Sequence, residues 1–174
     1  NRRYLTKQEE AQLRGEIAHA YFIFGVDHKA IRQARHGIGI GRAGAHMAYW
    51  SGGLAAWRSG NIELAGSFFR TLTDEEDVFG DLRAAAAFWA YRAEMGAGRP
   101  DEAIRYLQIA SGKLHSFYGV MARHVLGQDF ELSFELPSYD DGFIEWLSAR
   151  PGGQRLFALL QIGRQNDAER ELRY

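Results

Sequence analysis

The amino-acid sequence predicts an all-α fold built from antiparallel helical hairpins, and two observations support this prediction. Strong helix formers dominate the 174 residues, only three prolines occur, and apolar residues recur at steps of three and four. A glycine-centred pattern that is typical of tight turns between helices also recurs four times. One alternating stretch, Glu131–Leu136, is short and runs into Pro137, so it predicts an extended connector rather than a strand.

Apolar stripes at helical spacing define the predicted helices. The four clearest stripes are Ala43, Met47, Trp50, Leu54 and Trp57; Leu82, Ala85, Ala86, Trp89, Ala93 and Gly96; Ala103, Leu107 and Ala110; and Phe117, Val120, Met121 and Val125. Further apolar residues at 143, 147, 156, 159 and 160 predict two more helices. We expect Trp50, Trp57 and Trp89 to be core residues, because burying one large aromatic side chain removes about 150–250 Å² from water.

The repeated turn pattern places an apolar residue three positions before a glycine and an alanine five positions after it. Four segments fit: Phe22-Gly25-Ala30, Trp57-Gly60-Ala65, Met95-Gly98-Ala103 and Leu160-Gly163-Ala168. A glycine just past a helix tolerates the left-handed conformation that ends it, and a small alanine lets the second helix pack closely. Each segment therefore predicts a helix, a tight turn and a second helix.

The spacing of these turns predicts how the hairpins are arranged. The four glycines are separated by 35, 38 and 65 residues, and helical-hairpin solenoids commonly repeat at about 34–40 residues. The longest gap has room for an extra pair, at about 114–126 and 139–150. We therefore predict a single domain over residues 1–174, stacked as a tetratricopeptide-like superhelix, with a globular helical bundle as the alternative.

Composition excludes several classes of function. The net charge is −1, which gives no general reason to expect a nucleic-acid partner. The chain has no cysteine, hence no disulfide or thiolate ligand, and no apolar run long enough to span a membrane. It begins without Met and without an apolar leader, so we expect it to be a piece of a longer or processed chain.

Motifs that could support chemistry have simpler structural interpretations. Gly39–Gly44 matches a dinucleotide-binding pattern but follows a predicted helix at Lys29–His36, so we expect an interhelix loop. Asp74–Asp77 is interpreted as a solvated turn that caps the next helix, and Asp140-Asp141 as negative charge at a helix start. None of the six histidines has metal-ligand spacing; they are His19, His28, His36, His46, His115 and His124. The prediction is therefore no catalytic, cofactor-binding or metal residue, with the binding surface left open.

Two motifs stand out in the segment Phe88–Gly127. Trp89, Arg92 and Ala93 form a Trp-x-x-Arg-Ala pattern before a glycine turn, and a Phe-Tyr-Gly-x-x-Ala-x-x-x-Leu-Gly stretch is formed by Phe117, Tyr118, Gly119, Ala122, Leu126 and Gly127. In these motifs the segment resembles the soluble lytic murein transglycosylase family, whose members carry them before their catalytic domain. The resemblance extends over about residues 45–172, with Tyr49-Trp50 through Ala65 similar to a preceding repeat and Gly163–Leu172 similar to a helix pair leading toward the catalytic domain.

The resemblance implies a non-catalytic part of an enzyme. The family cleaves peptidoglycan glycan strands after N-acetylmuramic acid without hydrolysis, in a lysozyme-like domain whose catalytic Glu is followed by Ser. No Glu here is followed by Ser, so we carry over no catalytic residue and expect that domain to follow this chain. The resemblance implies a periplasmic superhelix that positions substrate or partners.

Two other functions stay open. A tetratricopeptide-like module that binds a protein partner in a concave groove is equally compatible with the repeat spacing. A small stand-alone helical enzyme would need a pocket with convergent polar groups.

Overall fold

The protein is all-α in the computed structural model, which describes residues 5–75, 77–78, 80–128 and 140–173. These residues form ten α-helices and no strand, which confirms the all-α part of the predicted fold. The helices are α1 Lys7–Ile23, α2 Asp27–Ile40, α3 His46–Arg58, α4 Ile62–Asp74, α5 Gly80–Gly96, α6 Pro100–Ser111, α7 Phe117–Val125, α8 Asp141–Ser148, α9 Pro151–Gln161 and α10 Gln165–Leu172. The predicted connector at Glu131–Leu136 lies outside the described residues.

The chain divides into two compact units, at residues 1–131 and 132–174. Unit 1 contains α1 to α7, and unit 2 contains α8 to α10. In unit 2 only Gly153, Leu156 and Ala168 are buried among the described residues. Unit 1 therefore holds nearly all of the core that the structure describes.

All four predicted turns are confirmed, and they share one backbone geometry. Gly25, Gly60, Gly98 and Gly163 have φ angles of +76°, +77°, +75° and +74°. The next residue caps the following helix with ψ between 60° and 76° in all four cases. Its N–H donates to the carbonyl five residues earlier, as from Arg99 to Glu94 at 2.9 Å. The alanine five residues after each glycine is buried, at positions 30, 65, 103 and 168.

Helices of neighbouring hairpins in unit 1 contact one another. The first helix of the second hairpin, α3, contacts both α1 and α2, and α7 contacts both α5 and α6, whereas α5 packs chiefly on α4 of the preceding hairpin. Small residues let these helices approach closely: the Gly53 backbone faces the Phe69 ring, and Gly52 faces Ala34. The core is accordingly rich in alanine, with Tyr49, Phe68, Phe69, Leu72 and Tyr106 among its larger members.

The α7 stripe and the limits of two helices differ from expectation. Phe117, Met121 and Val125 are exposed, whereas α7 is buried through Gly119 and Ala122, so the apolar stripe that predicted this helix does not face the core. Helix α2 runs on to Ile40 and α3 begins only at His46, because the apolar Ile38 and Ile40 extend the packed face of α2.

No helix in the described part of the chain is both long and apolar enough to cross a membrane.

Candidate binding surface

The Phe-Tyr-Gly stretch forms the joint between α6 and α7. Ser116 caps α7 by accepting a hydrogen bond from the Gly119 N–H at 3.0 Å. A Cβ atom at residue 119 would lie 1.8 Å from the Lys113 carbonyl oxygen, so only glycine allows this approach. Unit 2 has the same joint between α8 and α9, where a Cβ atom at Gly153 would lie 1.8 Å from the Leu147 carbonyl oxygen.

The other members of that stretch also have packing roles, with one exception. Tyr118 packs on Phe88 and Trp50, with ring centroids 5.6 and 6.4 Å apart. Ala122 is fully buried, and Gly127 adopts a left-handed φ of +64° just after α7. Phe117 is 72% exposed and contacts only the neighbouring Tyr118 ring among the aromatic pairs described.

An aromatic cluster with one arginine lies on α3 and α5. Trp57 and Trp89 pack edge to face with centroids 5.4 Å apart, and Trp89 stacks on the buried Phe69 at 5.8 Å. The Trp89 indole N–H donates to the Tyr118 hydroxyl at 3.2 Å, which fixes the ring. The exposed Arg92 guanidinium lies over both indoles. The three tryptophans expected in the core are thus partly buried against it, and the Trp57 and Trp89 rings support a surface cation.

The buried carboxylate of Glu94 pairs with two arginines, and its role is structural. It accepts hydrogen bonds from Arg70 on α4 and from Arg99, which precedes α6. Arg99 also forms two hydrogen bonds to Glu63, at 2.7 and 3.0 Å. Burial raises the pKa of Glu94, but the hydrogen bonds from Arg99 and Arg70 lower it by more, so its pKa is below the ordinary value. A carboxyl that acts as an acid catalyst at neutral pH needs the opposite shift.

The histidines lie apart from one another or pair with a single residue. His19 Nδ1 lies 3.2 Å from the Ser51 hydroxyl, but Ser51 is completely buried and no substrate could reach it. His46 Nε2 lies 3.0 Å from Asp77 Oδ1 and links the start of α3 to the segment after α4. Among the described residues no group of three or more potential ligands could hold a metal ion.

The glycine-rich motif, the acidic cluster and Asp140 lie at helix ends or in the loops beside them. Gly39 is helical, at the end of α2, and Gly41–Gly44 lie in the following loop, with no strand on either side in the described chain. Within the acidic cluster Asp77 bonds to His46, and Glu75 lies 3.9 Å from Arg42. Asp140 caps α8 by accepting the Phe143 N–H at 2.8 Å, which confirms the prediction of negative charge at that helix start.

Unit 2 contains an apolar cavity of about 520 Å³. Its lining includes Trp146, Leu147, Leu156 and Leu172, with Arg150 and Glu171 at its polar positions. The Arg150 guanidinium lies 3.4 Å from the centroid of the Trp146 ring, so it covers one face of the indole.

Comparisons with protein-family models, with curated proteins and with solved structures gave no match to this chain. The resemblance therefore rests on the residues that carry it.

Sequence reasoning missed two features of this surface. The Glu94 network joins residues 63, 70, 94 and 99, whose spacing in the chain gives no periodic signal. The contact between Arg92 and two indoles was missed as well, although Trp89 and Arg92 stand three residues apart on one helix, a spacing that brings side chains together.

Proposed function

We propose that this chain is a non-catalytic helical scaffold of a soluble lytic transglycosylase and positions peptidoglycan glycan strands or partners for cleavage elsewhere. The observation that carries the proposal is the α6–α7 joint. Tyr118, Gly119 and Ala122 each meet a geometric requirement there, and Gly127 meets one at the other end of α7, so these residues of the family-like stretch have structural roles. A periplasmic location is part of the same proposal.

The finer arrangement we propose for unit 1 is a tetratricopeptide-like superhelix. In support of it, α3 packs on both helices of the hairpin before it, and α7 packs on both α5 and α6. Hairpins stacked with a steady rotation generate a curved surface.

Purified peptidoglycan tests the function directly. The 174-residue chain is incubated with isolated sacculi, which are sedimented, and the supernatant is examined by mass spectrometry for anhydro-muropeptides. We expect the chain to sediment with the sacculi and to release no anhydro product. Release of anhydro-muropeptides would show that the chain is itself catalytic, and failure to sediment would remove the glycan-positioning role.

A protein-binding module is the second candidate, and the exposed face of α7 favours it. Phe117, Met121 and Val125 are four residues apart and exposed, which is the spacing that a helix uses to contact another helix. Capture of a helical peptide by the chain, abolished by Phe117→Ser and without sacculus binding, would favour this function over the first.

A further inference from the structure

We propose that the exposed face of α7 is a docking surface for an amphipathic helix with acidic residues, supplied by a partner protein. That the partner is a protein rests on the second candidate function. The acidic character of its helix rests on the charge around this face.

The exposed face of α7 has the spacing by which one helix packs on another. Phe117, Met121, His124 and Val125 occupy positions i, i+4, i+7 and i+8 of the helix, and all four are exposed. Leu114, just before the helix, is exposed as well. Amphipathic helices dock on one another through this spacing. The face therefore presents three large apolar side chains in a pattern that a second helix would cover.

The place of α7 at the end of unit 1 explains why this side is open. Each helix from α1 to α6 packs against the helix that follows it, as Trp50 of α3 packs on Phe69 of α4 with ring centroids 5.9 Å apart. Helix α7 packs on α5 and α6, which precede it, and it is the last helix of this unit. A further helix on the exposed face would continue the packing of unit 1.

The charge around this face is positive. No Asp or Glu occurs from Ala103 to Gln128, although the chain has 22 acidic residues in all. Lys113 and His115, which precede α7, are exposed. A helix with acidic residues beside its apolar stripe would therefore meet basic groups and no like charge.

A cleft of about 330 Å³ beside Lys113 gives an acidic side chain a place to enter. The described residues that line it include two cations and no acid; they are Gly80, Arg83, Ala84, Ile109, Gly112 and Lys113. Arg83 Nε donates to the Thr73 carbonyl oxygen at 3.1 Å, and neither cation pairs with a carboxylate of the described residues. Asp81 stands two positions before Arg83 on α5, so the two side chains do not face each other. The cleft therefore adds to the charge complementarity with an acidic helix.

The test uses the full chain and two labelled synthetic peptides, with binding followed by fluorescence anisotropy at low ionic strength. Both peptides have leucine at positions i, i+3, i+4 and i+7. Their other positions are alanine and glutamate in one peptide, and alanine and lysine in the other. We expect the glutamate peptide to bind about tenfold or more tightly than the lysine peptide, because opposite charges add to the same apolar contact. Added salt should reduce this difference.

Two variants with matched controls locate the binding. Phe117→Ser should weaken binding of the glutamate peptide about tenfold or more, whereas Phe24→Ser, at an equally exposed phenylalanine of the first hairpin, should have no effect. Lys113→Glu should reverse the preference so that the lysine peptide binds more tightly. Lys7→Glu makes the same change at an exposed lysine of α1 and should leave the preference unchanged. Circular dichroism of each variant checks that the chain is folded.

Several outcomes would overturn the proposal. They are equal binding of the two peptides, binding of neither, and equal losses in the two serine variants. Stronger binding to phosphatidylglycerol vesicles than to the glutamate peptide would assign the face to an anionic membrane instead. Self-association of the chain that Phe117→Ser abolishes would assign it to a second copy.

The same measurements separate this inference from the proposed function. If both peptides bind equally and Phe117→Ser weakens both, the protein-binding function stands and the acidic partner is refuted. If neither peptide binds and the chain sediments with sacculi, the scaffold function stands without this docking surface. Preferred binding of the glutamate peptide by a chain that ignores sacculi would support the docking surface and remove the glycan-positioning role.

Discussion

At the scale of single residues, backbone contacts between helices depend on the absence of a side chain at a few positions. Gly119 is such a position, because its Cα faces the Lys113 carbonyl oxygen. A side chain at this position would collide with main-chain atoms, and these cannot rotate away as the atoms of a flexible side chain could. The whole joint between α6 and α7 has to move if any Cβ is added.

Gly119→Ala should therefore destabilise the protein by about 3 kcal/mol, at the upper end of overpacking effects. Gly39→Ala is the control, because no atom lies within 4 Å of its added Cβ and residue 39 is helical. The control should change stability by less than about 1 kcal/mol, and in the stabilising direction. Urea unfolding followed by circular dichroism measures both, and equal midpoints for the two variants would contradict this account.

The buried carboxylate of Glu94 predicts a dependence of stability on pH. Because the pKa of Glu94 is lowered in the folded chain, its contribution is complete above the unfolded value of about 4.5. It is lost as the pH falls through the folded pKa. Glu94→Gln should cost about 1–3 kcal/mol at pH 7, since two arginines lose their charged acceptor.

The same variant should approach the unmodified protein in stability as the pH falls through the lowered pKa of Glu94 in the folded chain. Glu102→Gln serves as the control, because Glu102 is exposed on α6, and it should follow the unmodified protein closely. Thermal unfolding between pH 3 and pH 7 gives the comparison. A constant stability difference between Glu94→Gln and the unmodified protein across this range would refute the role of the ionised carboxylate.

At the scale of elements, one turn conformation joins the helices of four hairpins. Gly98 illustrates its requirement, because φ is +75° and no atom lies within 4 Å of an added Cβ. The cost of a side chain there is purely conformational, in contrast with the collision at Gly119.

Gly98→Ala should cost about 1–2 kcal/mol, and Gly98→Asn less, since Asn tolerates left-handed backbone better than Ala. Gly112→Ala is the control at another helix end, where φ is −67°. We expect nearly unchanged stability for the control in the same urea unfolding measurement. If the Ala and Asn variants at 98 were equally stable, the conformational explanation would fail.

The elements also show what the sequence can predict. A turn depends on residues a few positions apart, so the glycines and the buried alanines at 30, 65, 103 and 168 were recognisable from spacing alone. Burial depends on neighbours that are distant in the chain. The packed side of α7 is formed by Gly119 and Ala122, whose small size makes a weak apolar signal beside Phe117 and Met121.

The candidate site could be predicted even less well, for the same reason. Trp57 belongs to α3, whereas Trp89 and Arg92 belong to α5, and no periodic pattern spans the two helices. The sequence shows the two tryptophans and the arginine, but only the packing of the two helices brings their side chains into contact.

At the scale of the whole molecule, the two units differ in how much core they contain. Large buried side chains such as Phe69 and Leu72 belong to unit 1, and unit 2 buries only three of its described residues. A helical segment of about 40 residues rarely folds alone without disulfides or metals, and this chain has no cysteine.

A fragment of residues 1–131 should therefore fold by itself, and residues 132–174 should not. Circular dichroism with thermal melting would show a helical, cooperative transition for the first fragment and little helix for the second. A cooperatively folded 132–174 fragment would contradict this view of unit 2. The division at residue 131 gives the boundary for the experiment.

The shared geometry of the four turns has a consequence for recombination. Because Gly60 and Gly98 have the same backbone conformation, each followed by a capping residue with similar angles, the chain enters and leaves the intervening segment in equivalent ways. A block running from one such glycine to the next could be duplicated or exchanged, because the existing turn conformation would join it to the rest of the chain. Gene duplication could lengthen a protein of this kind one block at a time, with new contacts needed only where blocks meet.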